Sequence, residues 1–269
     1  MRSTSFFLAT VAASCLLASL PTAAQRLNDT GQVMCYDNSA STGTVSSGTP
    51  TPEDFQFRGQ DCTGGAAAAD ALGRMVKVGG SSVMGRDYTK IANDGSELGP
   101  GAMLGTSPTD WACTRDNVTG LIWEVKVDDA ANLRHGGHTY TWYDTTAING
   151  GNAGTQASNT CSGTLGTNCN TTAYRDAVNA LTESNRLCGA TDWRLPSSME
   201  LSGLLSNAAE SGPTIDVEWF PNTFEQRYWS GETTAFGVNR AFIGQFGDGH
   251  EWFRHKDTAE RVRLVRGGQ

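Results

Sequence analysis

The stretch Gly189-Ala190-Thr191-Asp192-Trp193-Arg194-Leu195-Pro196-Ser197-Ser198-Met199-Glu200-Leu201 joins a turn to a helix. Ser197 followed three residues later by Glu200 has the spacing of a capping box. In such a box the hydroxyl accepts from the Glu200 amide and the carboxylate reaches back to the Ser197 amide. Pro196 stands just before the cap, where its missing N–H costs no helical hydrogen bond. Leu201, Leu204 and Leu205 then recur at helical spacing and give one apolar stripe. Trp193 and Leu195 lie on the entry side, placed to anchor the turn in a core.

Downstream, the pattern changes from helix to strand. Tyr228-Trp229-Ser230 reads as one strand and Ala241 to Phe246 as another. Gly247-Asp248-Gly249 is a hairpin turn signal, with Glu251 to Phe253 as the return strand. Val262 to Arg266 closes the sheet. Upstream, Tyr174, Ala177, Val178 and Leu181 fit one face of a helix from about Thr171 to Ser184. Before it, residues 127–170 form a Gly/Asn/Thr-rich excursion around Tyr140-Thr141-Trp142-Tyr143, a length of loop that usually carries function or flexibility. Leu121, Trp123 and Val125 alternate with Ile122, Glu124 and Lys126, which predicts a half-buried strand. Residues 25–112 hold few periodic segments. Ser39 to Thr51 reads as a link, Ala66 to Met75 as a short helix, Met75 to Val78 as a strand and Asn93-Asp94-Gly95 as a turn.

The first residues read as an export signal. Arg2 gives a positive start, Phe6 to Leu20 is apolar, and Pro21-Thr22-Ala23-Ala24 ends in small residues, which places cleavage after Ala24. A lipoprotein reading through Ala13-Ser14-Cys15 is weaker, because Leu16 and Leu17 continue the apolar run beyond the cysteine. The run is too short for a membrane span. Removal of residues 1–24 takes Arg2 and Cys15 with it, so the formal charge goes from −8 to −9 and the cysteines from seven to six. An even cysteine count in an exported chain predicts disulfides, and six cysteines allow 15 connectivities. Our preferred set is Cys35–Cys62 and Cys161–Cys169, which close local loops, with Cys113–Cys188 tying the start of the main domain to the Trp193 turn. No C-x-x-C is present, so neither a zinc knuckle nor a thioredoxin-like site is indicated. The acidic balance argues against general nucleic-acid binding.

Four separated motifs carry a family resemblance: Asp116-Asn117-Val118-Thr119-Gly120-Leu121-Ile122-Trp123, Asp192-Trp193-Arg194-Leu195-Pro196, Tyr228-Trp229-Ser230 and Val262-Arg263-Leu264-Val265-Arg266. Their order and spacing resemble the Lcl C-terminal domain family, named for the C-terminal domain of the Legionella collagen-like protein. The resemblance covers about residues 110–267, and Asn28 to Gln32 with Cys35 looks like the N-terminal extension of many exported members. It implies an α+β, C-type-lectin-like domain, with two helices on a small, irregular antiparallel sheet, related to the formylglycine-generating enzymes. It implies a secreted, periplasmic or cell-surface location. The founding protein is an adhesin for sulfated polysaccharides; this chain carries no collagen-like Gly-X-Y array. The domain division expected is therefore a signal over 1–24, a loosely structured extension over 25–109 and the family domain over 110–267.

Trp123, Trp193 and Trp229 sit in the shared motifs and are expected in the core. Trp142 and Tyr143, in the polar excursion, are the better candidates for contact with a sugar ring. Arg254, His255 and Lys256 at the hairpin form a local basic group that can receive sulfate or carboxylate, joined by Arg134, His135 and His138 from the excursion. Arg263 and Arg266 are expected to serve the fold by pairing with carboxylates such as Asp192. His135 and His138 lack a clear third ligand, so no metal site is assigned. There is no H-E-x-x-H, G-x-S-x-G or phosphate loop, and the cysteine motifs of the formylglycine-generating enzymes are absent; no catalytic residue or cofactor is expected. The leading expectation is an exported module for anionic polysaccharide. A structural or protein-binding envelope module comes second and an enzyme last.

Overall fold

The computed structural model describes residues 79–81, 86–146, 150–206 and 212–268. The export signal, the Asn28 stretch, the Ser39 to Thr51 link, the Ala66 to Val78 elements and the Cys35–Cys62 pair lie outside the described residues. The described chain is mixed α+β and mostly sheet. Its strands are β1 (Gly80–Ser81), β2 (Asp87–Ala92), β3 (Glu97–Leu98), β4 (Trp111–Asp116), β5 (Leu121–Glu124) and β6 (Tyr140–Thr141). Helices α1 (Thr171–Asn179) and α2 (Ser198–Ser202) follow, then β7 (Arg227–Thr233), β8 (Arg240–Gln245), β9 (His250–His255), β10 (Ala259–Glu260) and β11 (Val265–Gly267).

Three antiparallel sheets result. The largest runs β1-β2-β4-β5-β11, with β3 on β2; β10 pairs β6, and β7-β8-β9 form a three-stranded sheet. Strand β2 pairs with β4 from Tyr88↔Asp116 to Ala92↔Trp111, and all six of its residues are buried. The main sheet thus already takes in residues before 110. The Asn93-Asp94-Gly95 turn leads from β2 to β3, with Gly95 at φ 92°, a conformation that favours glycine.

The capping box forms as its spacing predicts. Glu200 N donates to Ser197 Oγ at 3.1 Å and Ser197 N donates to Glu200 Oε2 at 2.7 Å. Arg194 adds a two-pronged pair to the same carboxylate, at 2.7 and 2.6 Å. Leu201 and Leu204 are buried, and Leu201 lies on Gly244 of β8, where a Cβ would stand only 3.0 Å from its Cγ. Trp123, Trp193 and Trp229 are all in the core.

Helix α1 is shorter than its apolar period. It ends at Asn179, whose side chain pairs in both directions with the Trp193 backbone: Nδ2 donates to Trp193 O at 2.8 Å and Trp193 N donates to Oδ1 at 2.9 Å. That clamp turns the chain into the short 3-10 turns Glu183–Asn185 and Leu187–Gly189. Two disulfides fix the same region. Cys113–Cys188 links β4 to the second 3-10 turn, and Cys161–Cys169 closes the tip of the excursion before α1.

The strand around Trp123 is not half-buried. Glu124 and Lys126, expected on a wet face, are both in the interior. The Leu264 amide donates to Glu124 Oε2 at 3.0 Å, Lys126 Nζ to Glu124 Oε1 at 2.8 Å and to the Tyr174 hydroxyl at 2.9 Å, and that hydroxyl donates to Glu124. Burial of this kind is tolerated only when the polar atoms find partners, as these do.

Candidate functional site

The three-stranded sheet β7-β8-β9 carries a row of polar and aromatic side chains along one face. Its register places Arg227 opposite Gln245, Gln245 opposite His250, Ile243 opposite Trp252, and Ala241 opposite Arg254. Residues two apart on a strand share a face, so His250, Trp252 and Arg254 line up along β9 on the face that also holds Gln245 and Arg227. Among the described residues strand β9 pairs only with β8. Its side chains therefore overhang, and Trp252 stays 55% exposed although it lies across from the buried Ile243. Together with Asp248, these residues enclose an open groove of about 430 Å³.

The groove is mixed in charge and only partly satisfied. Arg227 Nη1 lies 3.5 Å from Glu260 Oε1, and Arg254 Nε lies 3.8 Å from the same oxygen, too far for a hydrogen bond. Arg254 Nε and Gln245 Oε1 are both enclosed without a hydrogen-bond partner among the described residues. Burial pushes the Glu260 carboxyl above the usual range, although Arg227 and Arg254 pull it back. His250 Nδ1 stands 2.5 Å from Asp248 Oδ1 at the groove mouth. Beside the groove, aromatic rings run along β9. Trp252 stacks on Phe253 with centroids 4.9 Å apart, Phe253 stacks on Phe236 at 5.7 Å, and Arg240 lies over the Phe253 ring.

This arrangement brings together only part of the basic and aromatic group expected from the sequence. Arg254 lies in the groove. His255 is exposed at the end of β9, with Asn239 Nδ2 3.3 Å from its Nδ1. Lys256 is buried: Nζ donates to Asn152 O at 2.6 Å and sits 4.0 Å from the centre of the Trp142 ring. Burial lowers its pKa to about 8. Trp142 is buried beneath it and donates from Nε1 to Ser230 O at 2.9 Å, so it offers no face to a sugar. Tyr143 is half-buried, and its backbone anchors α1: its N–H donates to Thr171 Oγ1, and its carbonyl accepts from the Thr171 and Thr172 hydroxyls. The excursion is thus packed onto the sheet rather than held out as a contact loop.

Arg134 and His138 are also buried, at 6% and 2% exposure. His138 Nε2 lies 3.1 Å from Asn132 O, and the half-buried His135 meets His138 edge to face at 5.0 Å. They form no surface patch with the hairpin. Arg266 pairs with Asp192 at 2.6 Å as expected. Among the described residues Arg263 forms no ion pair with a carboxylate; it is wholly buried and donates to Glu124 O and to Thr223 Oγ1. Among the described residues no three His, Cys, Asp or Glu side chains gather as metal ligands. No sequence motif marks Trp252, Arg227, Gln245 or His250 as site residues. The signal the sequence offers is the i, i+2, i+4 run His250, Trp252, Arg254 directly after a hairpin turn.

These features define a disulfide-tied α+β domain with a groove carried on its C-terminal sheet. The chain belongs to the Lcl C-terminal domain family, whose model matches residues 112–266. No curated protein and no solved structure matches it. No described helix is long and apolar enough to cross a membrane.

Proposed function

We propose that this protein is an exported or cell-surface binding module, not an enzyme, and that it takes anionic polysaccharide in the Trp252 groove. The observation that carries the reading is Trp252, half exposed beside two arginines and above two enclosed polar atoms without partners. An indole face suits the apolar side of a sugar ring, and a guanidinium suits a sulfate or carboxylate. Family membership and the two disulfides are compatible with export, where disulfides persist. We further infer that the two helices and irregular sheets form a C-type-lectin-like arrangement.

The test is retention of the mature protein on immobilised heparin and on a neutral polysaccharide, for the parent and for Trp252→Ala and Arg254→Gln. Retention on heparin alone, eluted at lower salt in both variants, supports the reading. If the parent ignores every sulfated and carboxylated glycan, the anionic-glycan reading fails and a protein-binding envelope module takes its place. If both variants elute with the parent, the site lies elsewhere.

A further inference from the structure

A second cavity shares no residue with the groove. It is bounded by the turn after β2 (Asn93), the β3–β4 loop (Thr106), the excursion (Ala131 to Arg134) and the segment after α1 (Leu181 to Leu187). Its volume is about 320 Å³, at the small end of small-molecule sites. Leu133, Leu181 and Leu187 supply apolar wall. Asn132, Ser184, Asn185 and Thr106 supply amide and hydroxyl groups, and among the described residues no carboxylate lines the cavity.

Among the described residues Arg134 is the one charged member of that lining, and it is nine-tenths buried. Its Nη1 reaches only long contacts, to Ala112 O at 3.4 Å and Val125 O at 3.3 Å. No carboxylate forms an ion pair with it among the described residues, and its Nε and Nη2 take no protein acceptor there, yet they are not among the atoms sealed from solvent. Those two atoms form the edge of a guanidinium that holds a carboxylate with two parallel bonds.

The interior behind Arg134 makes the same demand. Among the described residues Glu124 is the carboxylate that acts on Arg134, Lys126 and Arg263, and its oxygens are already engaged by Lys126, the Tyr174 hydroxyl and the Leu264 amide. Three buried cations thus share a single buried anion. A buried charge without a partner is costly, and an anion entering from the cavity is the missing counter-charge.

We propose that this cavity binds a small carboxylate of monosaccharide size, its acid group on the Nε/Nη2 edge of Arg134 and its hydroxyls toward Asn132, Ser184 and Thr106. A hydroxylated monoanion suits one arginine among neutral amides and hydroxyls better than a dianion, which would call for more positive charge. The free acid and the end of a chain bearing the same acid offer the same chemistry.

The experiment is calorimetric titration of the full mature chain with D-galacturonate, with D-galactose, and with a digalacturonate. Variants are Arg134→Gln, Asn185→Asp at the exposed rim, Trp252→Ala, and Met199→Ala at an exposed position that lines neither cavity. The expected result is galacturonate binding with no binding of galactose. Affinity should fall at least tenfold in Arg134→Gln and Asn185→Asp, and be unchanged in Met199→Ala. Asn185→Asp keeps the site falsifiable if Arg134→Gln does not fold. Galacturonate binding as tight as digalacturonate assigns the site to the free acid; binding of digalacturonate alone assigns it to a chain end. Absence of both, or parent-like affinity in Asn185→Asp, overturns the proposal. Loss in Trp252→Ala alone would return the ligand to the groove.

Discussion

Lys126 Nζ lies 2.8 Å from Glu124 Oε1, and neither side chain reaches solvent to any useful degree. The pair ties β5 to α1 through the Tyr174 hydroxyl and to the β11 end of the chain through the Leu264 amide. Removing one member of a buried pair strands the other, at a cost of about 3–5 kcal/mol. Glu124→Gln should therefore be severe, since it leaves three cations without their anion. Lys126→Met should cost less, because Arg134 and Arg263 remain to offset Glu124. Urea unfolding of both variants checks the order; a Glu124→Gln loss below about 1 kcal/mol would refute the role given to the carboxylate.

The same burial predicts an alkaline signature. Desolvation outweighs Glu124 and lowers the Lys126 pKa from 10.5 to about 8, and Lys256 falls to about 8 by burial as well. Between those limits the unfolded chain binds more protons than the folded one, so these lysines make stability rise with pH. Below about 8 both states carry the charge and the contribution is flat. Above about 10 buried Tyr88, Tyr140 and Tyr174, whose pKa values burial raises, act in the opposite direction because only the unfolded tyrosines ionise. Denaturation midpoints from pH 7.5 to 10 should climb in the parent and climb less in Lys126→Met. Parallel curves would count against a buried Lys126 that sheds its proton.

How far these features were legible depends on whether they are local. The Ser197–Glu200 box needs only its own four residues and appears as read. The Trp142 environment is not local: a Gly/Asn/Thr-rich excursion looks solvated, but Lys256, more than a hundred residues later, lies across the indole and covers it. Alternation puts Lys126 on a wet face because it counts side chains without seeing α1 beyond them. The groove depends on cross-strand register, which sets Arg227 beside Gln245 and Gln245 beside His250. No single segment contains that relation.

Disulfide removal should separate the two bridges. Cys113–Cys188 closes a separation of 75 residues and Cys161–Cys169 one of 8. In the chain-entropy account these restrict the unfolded state by about 4.5 and about 2.5 kcal/mol. The paired Ala variant of the first should melt well below that of the second. Equal melting temperatures would mean that native packing, not unfolded-chain entropy, sets the loss.

The cap of α2 should report at acid pH. Burial pushes the Glu200 carboxyl up, but Arg194 and the Ser197 N–H outweigh it and hold it below the usual range. A lowered carboxyl pKa gives stability that is full above its unfolded value, 4.5, and is lost as pH falls through the folded value. Ser197→Ala should cost about 1 kcal/mol through the cap alone. Glu200→Gln should cost more at pH 7, since it also loses the Arg194 pair, and the difference from the parent should shrink toward pH 3. A constant difference across that range would separate the cap from the ion pair.

Glu260 gives the groove a pH response of its own. Its carboxyl sits above 4.5 because burial dominates over Arg227, Arg254 and Arg261. It therefore takes up its proton at milder acidity than an exposed glutamate, and the groove loses a negative charge while both its arginines stay charged. Sulfate groups remain ionised throughout, so on the proposed reading heparin retention should strengthen as pH falls below 7 toward the raised Glu260 value. Glu260→Gln should hold more tightly than the parent at pH 7 and should respond less to pH. The comparison between parent and variant isolates the carboxyl. The measurement is the salt concentration of elution against pH. Two curves offset by a constant amount would show that Glu260 does not govern the response.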